Sequence, residues 1–233
     1  MLSRVAESVY WMSRYIERAE NVARFVHVKI NLMLDYPMPA DNQHWGALVA
    51  ASGDHEDFAK RYGESTEENV IHFLTFDKDN PNSILSCVTS ARENCRTVRD
   101  TVSSEMWQQL NHFYMMVKEQ SCKPRVDDLQ KFFSQVKLAS HLFVGLADST
   151  MSHAEGWHFC QIGRHLERAD KTARILDVKY FMLLPNVDYV NTPFDAIILG
   201  ALLKSASAFE MYRKRFKRIH YSHVIDFLVF DPD

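Results

Sequence analysis

Apolar residues in the first third of the chain recur at helical intervals. Val5, Val9, Met12, Ile16, Ala19, Ala23, Val26, Ile30 and Met33 are spaced alternately four and three residues apart. That spacing draws one continuous stripe and predicts a single long helix of about nine turns at 3.6 residues per turn. A second stripe, Phe159, Ile162, Leu166, Ala169, Ala173, Leu176, Tyr180 and Leu183, predicts a matching long helix from about Ser152. The alanines at the centre of both stripes would let another helix approach closely there.

Between and after these two, the punctuation predicts shorter helices. Pro37-Met38-Pro39 ends the first, and a helix over about 43–62 follows, closed by Gly63. Thr66 with Glu67-Glu68 opens a helix to about Leu74. Asn80-Pro81-Asn82-Ser83 starts another from Ile84, with Val88, Ala91, Cys95, Val98 and Val102 as its apolar face. Ser103-Ser104-Glu105 restarts the chain through Met116, Pro124 interrupts it, and Val126 to about Leu146 is helical again. Pro185 and Pro193 bracket a loop before a helix over 194–216. With no run of period-two alternation, the fold class is all-α, a helical bundle.

Two stretches occur twice. Arg14-x-x-Glu17-Arg18-Ala19-Glu20-x-x-Ala23-Arg24 returns as Arg164-x-x-Glu167-Arg168-Ala169-Asp170-x-x-Ala173-Arg174. Residues 45–79 align without a gap on 199–233 with 13 of 35 positions identical, against roughly two expected from average residue frequencies. The offsets, 150 and 154 residues, nearly agree. The chain therefore reads as two tandem related units, 1–150 and 151–233, packed as one domain, with the second truncated. Its counterpart to 80–150, roughly 70 residues, would be missing, leaving an apolar groove uncovered.

On a helical wheel Glu17, Glu20 and Arg24 lie within about 60° of one another beside the stripe, so i,i+4 and i,i+7 ion pairs can form while touching a neighbouring helix. The first reading is a partly buried structural network that fixes helix register. The second is a ligand or enzyme site between the repeated helices, with Arg14, Arg24, Arg164 and Arg174 converging on an anion, because the guanidinium fork binds carboxylate or phosphate through two parallel hydrogen bonds. A di-iron bundle needs Glu-x-x-His twice. Here Glu155-x-x-His158 occurs once, and its repeat counterparts are Val5 and Ser8. His153, His158 and His165 could still make a mononuclear site, but His158 and His165 are two turns apart, too far to share a small ion readily.

Composition narrows the choice further. The 233 residues carry a net charge of −3 and 46% hydrophobic residues, enough for a sizeable core and without the basic excess that nucleic acid selects. The one basic run, Arg213-Lys214-Arg215-Phe216-Lys217-Arg218, reads as a solvated helix end. Cys87, Cys95, Cys122 and Cys160 are widely spaced and predict ordinary buried, reduced thiols. No apolar signal core or membrane-length segment is present, so a cytoplasmic protein is expected. Catalytic serine and phosphate-loop signatures are missing, no cofactor is implied, and the balance falls against an enzyme.

Tyr10-Trp11-Met12-Ser13-Arg14-Tyr15-Ile16-Glu17-Arg18-Ala19-Glu20, Ser90-Ala91-Arg92-Glu93-Asn94-Cys95-Arg96 and Gly163-Arg164-His165-Leu166-Glu167-Arg168-Ala169-Asp170 together resemble the alpha-E family. That family is described as a bacterial all-helical domain of unknown function named for its Glu-Arg motif. The resemblance covers the whole chain. It implies importance for Glu17-Arg18 and Glu167-Arg168, without a catalytic role, and adds Arg92, Glu93 and Arg96 to the candidate residues. Such proteins are encoded beside, or fused to, ATP-grasp proteins and transglutaminase-like peptidases, which implies an accessory or scaffold in amide-bond formation or cleavage on peptides. Family members typically continue beyond the point reached by this chain.

Overall fold

The computed structural model describes residues 1–35, 43–123, 128–183 and 193–231, with the side chains of 43–44, 179–183 and 193 left aside. Every regular element among them is a helix: α1 (Ser3–Asp35), α2 (Gln43–Ser52), α3 (His55–Tyr62), α4 (Glu67–Thr75), α5 (Ile84–Thr97), α6 (Ser104–Ser121), α7 (Leu129–Thr150), α8 (Glu155–Leu183), α9 (Pro193–Ser205), α10 (Phe209–Arg215) and α11 (Tyr221–Phe230). The expected breaks at Pro37-Met38-Pro39, Pro124 and Pro185 lie outside the described residues.

Helix starts are set by short polar side chains. The Oγ of Ser83 accepts from the Ser86 amide at 3.1 Å, that of Ser103 from Met106 at 3.1 Å, and Oδ1 of Asp128 from Lys131 at 2.9 Å. Each satisfies an amide that the first turn would otherwise leave open, contributing about 1 kcal/mol. Thr66 accepts from Asn69 at 3.3 Å as α4 begins. Two expected helices are each broken in two. The backbone turns left-handed at Gly53 (φ 90°), separating α2 from α3, and at Ser207 (φ 62°), separating α9 from α10. Glycine takes this conformation freely, whereas serine does so at a steric cost.

The chain divides into two compact units, residues 1–27 with 71–169, and residues 28–70 with 170–233. In the first, α5 packs on α6 and α6 on α7. Met12, Ile16, Phe73, Val88, Leu110, Phe113 and Phe133 are almost wholly buried there, and the Phe132 ring at the start of α7 sits 5.4 Å from that of Phe76. In the second, Leu32, Ile198 and Ala201 form a core cluster joined by Val28, Phe194 and Ile197. α9 meets α10 and α11, and α2 meets α3.

The stripe on α1 is buried as expected from Val9 to Val26, but the stripe on α8 is not. Ile162 and Leu166 are 47% and 50% exposed, and Ala169 and Ala173 are also exposed. The buried face instead carries Cys160, Gly163, Glu167, Lys171 and Ile175. On α8, close approach occurs at Gly163 rather than at the exposed Ala169 and Ala173: a Cβ at Gly163 would lie 2.4 Å from the Tyr10 carbonyl oxygen. Backbone contact and ion pairing, rather than the apolar stripe, set the rotation of α8. Tyr180 and Leu183 lie outside the described side chains. One thiol also departs from expectation. Cys122 is exposed, while Cys87, Cys95 and Cys160 are buried.

Candidate functional site

Residues 10–18 of α1 and 163–168 of α8 meet inside the first unit. Arg14 and Arg18, one turn apart, both reach Glu167, whose side chain has no exposed surface. Arg18 engages it as a fork, with Nε donating to Oε1 at 2.7 Å and Nη2 to Oε2 at 2.9 Å. Arg14 Nε donates to Oε2 at 2.8 Å. The outer nitrogens are held as well: Arg14 Nη1 donates to the Tyr10 hydroxyl at 2.9 Å and Arg18 Nη1 to Asn82 Oδ1 at 2.6 Å. Trp11 and Tyr15 stack on each other and lie under the two guanidinium groups. Burial works against both cations, but hydrogen bonds to Tyr10 and Glu167 for Arg14, and to Glu167 for Arg18, outweigh it and raise both pKa values.

The reciprocal pair is weaker. Arg168 Nε donates to Glu17 Oε1 at 2.8 Å, but Arg168 is 45% exposed while Glu17 is 3% exposed. Burial raises the Glu17 pKa, and the attraction of Arg168 only partly offsets it. Beside it, Ser13, Glu17, Cys160, Gln161 and Arg164 border a cavity of about 20 Å³, the room needed by one water molecule. The Cys160 thiol is pushed up to about 11 by burial, so it is no nucleophile at neutral pH.

The other expected charges divide into separate groups. Glu20 pairs with Arg24, as the wheel predicts, and His141 of α7 lies 3.5 Å away. Burial opposes ionisation of Glu20, yet hydrogen bonds from His141 and Arg24 lower its pKa below the ordinary value. Asp170 and Arg174, in the second unit, pair at 3.0 Å and are 36% and 44% exposed. Arg92 donates to Asn111 Oδ1 at 2.8 Å and pairs with Glu93, which also pairs with Arg96 at 2.7 Å. The partners of this third group lie on α5 and α6, apart from Glu167. Among the described residues no group of three or more His, Cys, Asp or Glu side chains could hold a metal ion. The His153 ring instead stacks on Trp157 at 4.2 Å, and the His158 ring meets Trp157 edge-on at 5.2 Å.

Sequence reasoning did not find Tyr10, Asn82, Asn111 or His141. Asn82 was legible only as part of a helix start, and its role depends on where the turn before α5 falls beside α1.

Glu17-Arg18 on α1 and Glu167-Arg168 on α8 lie in a chain that matches, over residues 1–233, a family model described as "a predicted alpha-helical domain with a conserved ER motif". The chain belongs to the Alpha-E family. It is also similar to uncharacterised proteins of Mycobacterium bovis (Mb2597) and Mycobacterium tuberculosis (MT2643 and Rv2567), each 25% identical over 248 residues. Each match covers 98% of this Alpha-E chain and 27% of the relative, so the chain spans about a quarter of the length of the curated relatives it matches. No solved structure matches it. No described helix is long and apolar enough to cross a membrane.

Proposed function

We propose that this Alpha-E chain is a non-catalytic helical accessory or scaffold, working with an ATP-grasp ligase-like or transglutaminase-like protein in peptide amide-bond formation or cleavage. The observation that carries its non-catalytic half is the state of Glu167: fully buried, with both oxygens taken by Arg14 and Arg18. A carboxylate so enclosed positions helices and offers nothing to a substrate. The rival reading, an enzyme or ligand-binding protein with a carboxylate–arginine site between the repeated helices, requires space beside those charges. The cavity at Glu17 and Arg164 has room for about one water. The named partners rest on the family resemblance.

The same proposal takes 1–150 and 151–233 as tandem related units. The left-handed breaks at Gly53 and Ser207 support it, being 154 residues apart as in the sequence alignment. The two copies differ in burial. Thr75 is fully buried and Phe76 lies against Phe132, whereas their counterparts Val229 and Phe230 are 53% and 73% exposed. In the second unit Ala173, Leu176, Leu202, Val224, Ile225 and Val229 line an open groove of about 350 Å³.

The test is co-purification with an ATP-grasp protein encoded beside it, followed by comparison of ATP-dependent amide formation with and without the chain. A complex with altered activity is the expected result. No complex and unchanged activity would remove the accessory role.

A further inference from the structure

The Arg92 group is not used by the Glu167 clamp, and the Tyr114 ring that Arg92 approaches lines a concavity of the first unit. The crease between α5 and α6 is an open cleft of about 670 Å³, within the 300–1,000 Å³ usual for ligand sites. Its base is Leu85, nearly buried, with Pro81 at one end. Its walls carry Ser90 from α5 and Tyr114 and Lys118 from α6, and Lys78 stands at the turn before α5. Arg92 lies 4.9 Å from the centre of the Tyr114 ring and the Lys118 ammonium 5.6 Å from it, so two cations approach one aromatic ring.

What the groups are free to do points to the ligand. Thr89 donates its hydroxyl to the Leu85 carbonyl, and Ser121 to that of Lys118. Among the described residues, the ammonium groups of Lys78 and Lys118 have no ion pair, and the hydroxyls of Ser90 and Tyr114 have no hydrogen bond. Asp79 is the opposing charge on the cleft wall, leaving Lys78 and Lys118 in excess by one. Helix rise gives about 10 Å from Tyr114 to Ser121 along the α6 wall, the span of about three extended peptide residues. An apolar base, free hydroxyls and separated lysine point charges suit an extended backbone with acidic side chains. Bidentate phosphate recognition would instead favour an unengaged arginine fork, and Arg92 is already held by Asn111 and Glu93.

We infer that the α5–α6 cleft of this chain is a binding site for a short acidic peptide, with Lys78 and Lys118 taking its carboxylates and Ser90 and Tyr114 its backbone. The experiment titrates the whole chain with tetraglutamate, and separately with inorganic phosphate and tetralysine, by calorimetry and by amide NMR at low and physiological salt. Saturable tetraglutamate binding, with shifts on α5 and α6, is expected, and it weakens with salt. Lys78→Glu with Lys118→Glu lowers affinity at least about tenfold, and Asp79→Asn raises it about twofold, as surface charge pairs of this kind contribute. Unperturbed circular dichroism of the variants keeps these comparisons valid. The inference is overturned by no saturable binding at millimolar peptide, by equal affinity of the double variant, or by phosphate binding the cleft as tightly as the peptide.

Discussion

The sharpest consequence of the clamp is an inequality between two glutamates that the sequence presents as equivalents. Glu167→Gln keeps the side-chain volume but removes the charge facing two guanidinium groups, which are only 19% and 14% exposed. Breaking one side of a buried charge cluster costs about 3–5 kcal/mol. Access of water to Arg14 and Arg18 places this case near 3 kcal/mol. For a chain of this size that lowers the melting temperature by about 10 °C. Glu17→Gln behaves oppositely. Burial has raised the Glu17 pKa, so its ionised form is less favourable in the folded chain than in the unfolded one. That penalty is absent below about pH 4.5 and grows as pH rises through the folded value. At pH 7 Glu17→Gln is therefore neutral within about 1 kcal/mol, or stabilising. Calorimetric melting of both variants, read on the transition of residues 1–27 with 71–169, measures the difference. The triple change Arg14→Met, Arg18→Met, Glu167→Met should recover most of the loss, because the desolvation cost leaves with the charges. Equal losses at Glu17 and Glu167, or a Glu167→Gln shift of only a degree or two, would refute the clamp as the source of helix register.

Gly163→Ala should destabilise by about 1–3 kcal/mol, since the added Cβ meets a backbone oxygen at 2.4 Å, which urea unfolding would register. Lys29 is 3% exposed, with a pKa lowered to about 8 by burial, so it costs stability below that pH and the cost fades as pH rises from 8 to 10.5. Lys29→Met should accordingly raise stability at pH 7 by about 2 kcal/mol and flatten the alkaline side of the profile. Glu20, with its lowered pKa, contributes stability above about pH 4.5 that is lost as pH falls through its folded value, so Glu20→Gln should reduce the acid sensitivity seen in melting curves between pH 5 and 3. Under native conditions a thiol reagent should label Cys122 alone, because Cys87 is buried and burial pushes Cys95 and Cys160 up to about 12 and about 11.

The all-helical class and the extent of α1 follow from apolar spacing, because periodicity reports directly on which face a helix buries. The starts of α5 and α6 follow from serines before helix-forming runs. The rotation of α8 was not legible. Ile162 and Leu166 make a better stripe than Cys160, Gly163 and Glu167, and only the approach of the Tyr10 carbonyl to Gly163 reveals which face turns inward. The break at Gly53 had a signal in Ser52-Gly53-Asp54, but Ser207 lies between two alanines and nothing local marks its positive φ. Within the candidate site, the i,i+4 pair Glu20–Arg24 was local and therefore readable. Glu167 finding Arg14 and Arg18, and Arg18 finding Asn82, depends on the path of the chain between them.

That path gives the clamp a place in time as well as in space. Arg18 and Glu167 are 149 residues apart, whereas Arg92 and Asn111, which tie α5 to α6, are 19 apart. Closing the longer loop costs about 2 kcal/mol more in chain entropy. At a synthesis rate of about 5–20 residues per second, Glu167 leaves the ribosome on the order of ten seconds after Arg18. For that interval α5, α6 and α7 can already have folded on one another while the arginines of α1 have no carboxylate to close on. We expect arrested chains ending before residue 167 to remain sensitive to protease in α1, and chains released beyond it to become resistant in a single step.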